Sequence, residues 1–299
     1  MMLKNFGQME QFVREQSGKK RVALAAAHDA DALGSLMMAV DRGIAEAILI
    51  GRRKEIVRVL DEMGKDAGDF RIIEEEDDRA AADKAVELVH CGEADMPMKG
   101  LMHTSTFMKA ILDKEKGLKE DGNLLSQASV FEIPEKDRFL IISDCAVNID
   151  PDLETKIKIT ENAAALAHTL GIEQPKIAVL SAVEVVNPKI RSTVDAAAMR
   201  ERLSARYLID GPLALDNAID EAAAHHKGIE SPVAGNADIL IVPDLWSGNI
   251  FSKGLVFFAH LRSAGTLNGL KAPVVMSSRT DTVENKYLSI LTAVLQTIR

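Results

Sequence analysis

Apolar and polar positions follow two rhythms along this chain. Short apolar runs closed by glycine or polar turns read as buried parallel strands at residues 21–27 (RVALAAA), 47–50, 71–73, 129–133, 139–144 (FLIISD), 176–180, 237–242 (ADILIV) and 273–276 (PVVM). Between them, apolar residues recur three or four apart, which is the spacing of one helix face. That rhythm predicts an amphipathic first helix and helices over 32–42, 55–63, 80–90, from 104–106 to 112, 150–170, 194–205, 213–225 and 250–261. A last helix presents Tyr287, Leu288, Leu291, Val294, Leu295 and Ile298 on one face. Strand and helix in alternation argue an α/β protein with parallel sheets and crossover helices.

The polar stretches punctuate this pattern. The acidic run 74–78 reads as a solvated helix start, and 114–122 as a charged connector. Asp150-Pro151 predicts an N-cap followed by proline at the first helical position. Asn187-Pro188 and Asp210-Gly211-Pro212 read as turns, and Pro134-Glu135-Lys136-Asp137 as a domain junction. The division then expected is a discontinuous first α/β domain, 1–134 plus 265–299, and a second α/β domain, 135–264.

Composition narrows the function classes. With 299 residues the chain is long enough for two cores. It carries 36 Lys and Arg against 45 Asp and Glu and has no basic block, so nucleic acid is not expected as a partner. A phosphate ligand would have to be held by a few local cations. Cys91 and Cys145 are far apart and outside any CxxC spacing, which fits a reduced, cytoplasmic protein. No apolar run reaches membrane-spanning length. No metal site is expected either. His225 and His226 are adjacent and point to different helix faces, and the other histidines stand singly.

Three stretches have the chemistry of an anion site. Ser277-Ser278-Arg279-Thr280-Asp281 lies between a strand and a helix and offers many donors and one fixed charge. The same stretch also fits a capped helix start, with Asp281 and Glu284 as a capping box. Thr104-Ser105-Thr106 open a helix with three hydroxyls. Ser247-Gly248-Asn249 stand at another strand-to-helix junction, with Lys253 one turn on. Asp144 and Glu184 follow strands, where a site role and a loop-capping role are both open.

AVEVVNP (182–188), DGPLALDNAI (210–219), ADILIVPDLWSGNI (237–250) and PVVMSSRTD (273–281) resemble the phosphate acetyl/butyryltransferases, from about residue 21 to the end. The DGPLALDNA and SSRTD forms are closer to the butyryl branch. The resemblance implies the isocitrate/isopropylmalate dehydrogenase fold, two open α/β domains around a cleft. It implies a reversible exchange: acyl-CoA plus phosphate gives acyl phosphate plus CoA, without a bound cofactor. It also implies a homo-oligomer formed through the second domain, by the 161–170 or the 213–225 helix.

Ser278 and Arg279 match the catalytic Ser-Arg pair of the acetyl enzymes. Thr104, Ser105, Thr106, Lys109, Ser247, Gly248, Asn249 and Lys253 are the expected substrate contacts. Two positions depart from the acetyl pattern: Lys109 replaces an arginine, and Asn285 replaces the catalytic aspartate, with Glu284 beside it. Asparagine cannot take a proton from a thiol, so Asp281, or less favourably Glu284, is expected as the base. Other readings are acetyl transfer, a non-catalytic CoA or acyl-phosphate binder, and a metal- and nicotinamide-dependent hydroxyacid dehydrogenase. The last needs an Asp cluster that the sequence lacks.

Overall fold

The computed structural model describes residues 1–299 except Ser17 and Asp121; the latter belongs to the expected connector 114–122 and lies outside the described residues. The chain divides into two compact units, one of residues 6–123 and 264–299, the other of residues 1–5 and 124–263.

The first unit begins with α1 (Phe6–Glu15) and alternates β1 (Lys20–Ala25), α2 (Ala30–Asp41), β2 (Ala45–Gly51), α3 (Arg53–Glu62), β3 (Arg71–Glu74), α4 (Asp78–His90), β4 (Met96–Lys99) and α5 (Thr104–Ile111). Its sheet has the order β3-β2-β1-β4, and all its pairs are parallel. Carboxylates cap two of the helices that leave it. Asp29 accepts from Ala32 N at 3.3 Å and Asp77 from Ala80 N at 2.8 Å, so the acidic run ends in a helix start as its composition implies.

The second unit carries β5 (Ser126–Ile133), β6 (Arg138–Ser143), α6 (Leu153–Thr169), β7 (Lys176–Leu180), α7 (Arg191–Leu203), β8 (Leu208–Leu213), α8 (Leu215–Ile219), α9 (Glu221–His226), β9 (Ile239–Ile241) and α10 (Leu245–Phe257). Within it the strands run β5-β6-β9-β7-β8. The pair β5/β6 is antiparallel, and Pro134–Lys136 is the turn between those strands, with Asp137 left-handed at φ 46°. The expected junction at Pro134 is therefore a hairpin, and the division falls at Leu124. Six ladder positions hold β5 to β6, so the chain cannot be cut between them.

The chain returns to the first unit through β10 (Ser263–Asn268) and ends in α11 (Val283–Gln296). Between these, Val275 bridges Met98 in parallel and extends the sheet beyond β4. Every residue from Asn285 to Leu295 is buried, because α1 and α2 both pack on α11. The polar side chains on its inner faces are satisfied locally. Ser289 Oγ donates to Asn285 O (3.0 Å), and Thr292 Oγ1 donates to Leu288 O (2.8 Å).

Several elements differ from the pattern-based expectation. β4 (MPMK), β8 (LIDGPL) and β10 (SAGTLN) are not apolar runs. The expected turn at 210–212 lies inside β8, where a Cβ on Gly211 would come within 2.8 Å of Val179 O. The expected 213–225 helix is split at Asp220, whose carboxylate accepts from Ala223 N at 2.7 Å and starts α9. The cap of α6 is Asp152, because Asp150 pairs with Arg191 at 3.3 Å. α10 starts at Leu245, five residues before the expected 250.

Candidate functional site

In the first unit the chain passes from β1 to β2 to β3 on one side, then crosses to β4 and 274–275 on the other. β1 and β4 thus flank the point where strand order reverses, the place where open parallel sheets bind ligands beyond their carboxyl ends. The loops after the two strands touch. Gly100 N donates to Ala25 O at 2.8 Å and Leu101 N to Ala26 O at 3.2 Å. Only glycine fits at 100, where a Cβ would stand 2.3 Å from Ala26 O. From this edge α5 departs. Thr104 and Ser105 are exposed, Thr106 is half-buried, and the cap residue His103 makes no side-chain capping bond. Lys109 is in the last turn of α5, roughly 7.5 Å along the axis from Thr104. Ser105 and Thr106, four and three residues before it, are its neighbours on the helix surface, and Thr104 is further off.

The loop before α11 reaches the same edge of the sheet. Lys99 N donates to Val275 O and Val275 N to Pro97 O, both at 3.0 Å, which pins the start of the loop to β4. The loop then folds on itself. Asp281 Oδ2 accepts from Ser278 N (2.7 Å), Asp281 N donates to Ser278 O (3.2 Å), and the Ser278 and Thr280 hydroxyls are 3.1 Å apart. Ser278 and Arg279 are exposed at its tip. The cap of α11 is Thr282, which accepts from Asn285 N at 3.1 Å. The expected capping box of Asp281 with Glu284 is not formed, because the Asp281 carboxylate is drawn back to Ser278. Glu284 is exposed in the first turn, and Asn285 is buried.

Two buried lysines stand beside this loop. Lys286 donates to Asp281 O and lies 3.9 Å from the carboxylate of Asp31. Lys99 ends β4 at 5% exposure. Burial, and then the charge of Arg279, hold its ammonium below the ordinary lysine range; Asp29 opposes this and Lys286 adds to it. The edge therefore joins Ser278, Arg279 and Asp281 to the start of α5 and to cations that sequence reading missed. Their only signals were a lysine closing MPMKG and one inside the apolar stretch of the last helix.

The candidates in the second unit are differently employed. Ser247 Oγ donates to Asp244 O (3.0 Å) and to Asp244 Oδ1 (2.9 Å), and the same carboxylate accepts from Ser247 N (2.8 Å). Asn249 Nδ2 donates to Cys145 O at 3.1 Å. Gly248 is packed so that a Cβ would meet Asp144 O at 2.5 Å, and Lys253 is exposed. An anion at this helix start would have to displace a carboxylate. Asp144 caps its own loop, accepting from Ala146 N (2.8 Å), Val147 N (2.9 Å) and Asn148 Nδ2 (2.6 Å). Glu184 pairs with Lys227 at 3.6 Å. Burial, with the Asp144 charge, pushes the Cys145 thiol up to about 12, which rules it out as a thiolate at neutral pH. Among the described residues no group of His, Cys, Asp and Glu could hold a metal ion.

The phosphate acetyl/butaryl transferase family profile matches residues 79–294, which include β4, α5 and most of α11. The chain is similar to the phosphate butyryltransferase of Clostridium acetobutylicum, at 45% identity over 98% of each chain. It is 43% identical to the phosphate acetyltransferase of Thermotoga maritima, covering 94% of this chain and 97% of that one. A crystal structure of a branched-chain phosphotransacylase from Enterococcus faecalis superimposes with a TM-score of 0.83 at 34% identity, covering 93% of this chain and 98% of that one. On the profile over residues 79–294 and the full-length relatives, the chain belongs to the phosphate acetyl/butaryl transferase family.

Proposed function

We propose that this protein exchanges a short acyl group, butyryl in preference to acetyl, between CoA and inorganic phosphate. The observation that carries this is the Ser278–Asp281 loop, held at the sheet edge with Arg279 at its tip and buried lysines behind it. A phosphate dianion needs permanent positive charge in an acidic chain, and arginine keeps its charge at any working pH. In the forward direction a phosphate oxygen attacks the thioester carbonyl, the C–S bond breaks, and CoA leaves as thiolate and takes up a proton. The reverse needs a base for the CoA thiol. No electron carrier enters the balance.

Arg279 orients two phosphate oxygens in one plane. Ser278 donates to the oxygen on which charge grows. Thr104, Ser105 and Thr106 supply donors at the neighbouring helix start. Of the two carboxylates, Asp281 is occupied in folding the loop, so Glu284 is the better base, reversing the preference drawn from sequence. Two free cysteines suit a reducing compartment such as the cytoplasm, and among the described residues no helix is long and apolar enough to cross a membrane.

Butyryl and acetyl relatives match at 45% and 43% identity, so overall similarity does not fix the chain length. A hydrophobic pocket separates chain lengths by about 1–3 kcal/mol per methylene, so acetyl-CoA should be a weaker substrate, still turned over. Phosphate-dependent thiol release is measured with C2, C4 and C5 acyl-CoA. The expected kcat/KM is highest at C4. A C2 optimum makes the protein an acetyl enzyme, and no release from any of the three leaves the binder reading.

A further inference from the structure

Lys99 is almost wholly buried, at the point where strand order reverses between β1 and β4. A buried ammonium is costly unless it is paired. This one donates to two main-chain oxygens, Gly100 O at 3.2 Å and Met102 O at 3.4 Å. Among the described residues it has no carboxylate within ion-pair distance. An ammonium has three donors, so among the described residues one N–H has no acceptor. A second cation, Arg279, is carried by the loop that Lys99 N holds at Val275 O (3.0 Å), and its charge opposes the ammonium more than Asp29 supports it. An anion between them would relieve that repulsion and satisfy the third donor.

We propose that the Lys99 ammonium is a phosphate-binding group of this site, donating to an oxygen of the same phosphate that Arg279 holds. The proposal rests on the acyl-transfer reading above. Arg279 approaches from an exposed loop and Lys99 from the floor of the sheet, so the two grip different oxygens. The geometry also separates Lys99 from a base. A lysine that takes a proton from a thiol must be neutral with its lone pair facing the substrate, whereas this nitrogen is directed by donation to two carbonyl oxygens.

The test uses Lys99→Gln, whose amide can still donate to Gly100 O but carries no charge. The expected result is a roughly 10- to 100-fold higher KM for inorganic phosphate, with the KM for butyryl-CoA within about twofold of wild type. A folded variant with an unchanged phosphate KM overturns the proposal. So does a fall in kcat at constant phosphate KM, which would mark proton transfer instead. If wild type releases no thiol from any acyl-CoA, the acyl-transfer reading fails on its own. Calorimetric titration with inorganic phosphate then decides Lys99: binding that the variant loses upholds it, and no binding by wild type overturns it. If the variant does not fold, a wild-type crystal soaked in inorganic phosphate replaces it. Phosphate density in hydrogen-bond reach of Lys99 Nζ upholds the proposal, and phosphate seated on Arg279 alone overturns it.

Discussion

Arg279 stands at the tip of a loop whose fold does not depend on it, since the bonds that shape the loop run between Ser278, Thr280, Asp281 and Lys286. Its substitution is therefore a clean probe of function. A charge-assisted hydrogen bond contributes about 1.5–3 kcal/mol. Arg279→Lys keeps the charge and loses the second in-plane contact, so the expected loss is roughly 10- to 100-fold in kcat/KM for phosphate, with Arg279→Ala worse. Unchanged phosphate saturation curves would remove Arg279 from the site. The neighbouring carboxylates can be separated as well. In Asp281→Asn the carboxamide oxygen can still accept from Ser278 N, so turnover should stay within about threefold. Glu284→Gln removes the proposed base and should lower kcat by about 100-fold or more, with both melting temperatures near wild type. A collapse of turnover in Asp281→Asn with an active Glu284→Gln reverses the assignment.

At the scale of elements, α6 and α7 are joined by an ion pair inside the second unit. Lys156 Nζ lies 2.7 Å from Asp195 Oδ2 and its side chain is 5% exposed, while Arg191 approaches the same carboxylate at 3.4 Å from the surface. Removing one partner of a buried pair costs about 3–5 kcal/mol, because the other charge is left in low dielectric. Here Arg191 offsets part of that. Lys156→Met should lower the urea midpoint clearly. Arg191→Met removes only a surface partner worth under about 1 kcal/mol and should barely move it. Equal shifts from the two variants would show that the pair behaves as if solvated.

At the scale of the molecule, the two helices expected to form an oligomer face differ in form: α6 packs one side into its own unit, and the 213–225 stretch is two short helices. Ala163, Ala164, Leu166 and Ala167 of α6 are buried within the unit. One exposed apolar surface is on α10, where Trp246, Ile250 and Phe257 follow helical spacing, with Phe258, 89% exposed, just after it. We expect a homodimer or larger assembly through this face. Light scattering should return at least twice the mass of one chain, and Ile250→Asp with Phe257→Asp should reduce it. A wild-type monomer at working concentration would refute the assembly.

The sequence alone determined the α/β class and most strands and helices, because these depend on local matters. Apolar runs such as FLIISD and ADILIV have few ways to be buried, and helical spacing is set by the backbone. Where local pattern and tertiary pairing compete, the structure decided. Pro134 is a plausible junction by composition, but the ladder between β5 and β6 makes it a hairpin turn. MPMK and LIDGPL are broken by proline or polar residues and become strands because neighbouring strands supply their partners. Asp281 and Glu284 have the spacing of a capping box, yet Thr282 caps the helix once Ser278 N claims the Asp281 carboxylate. Lys99 and Lys286 read as ordinary lysines. Their burial, and the influence of Arg279 and Lys286 on Lys99, exist only after β4, α11 and the last loop meet at one sheet edge, since charge and desolvation act through space and not along the chain.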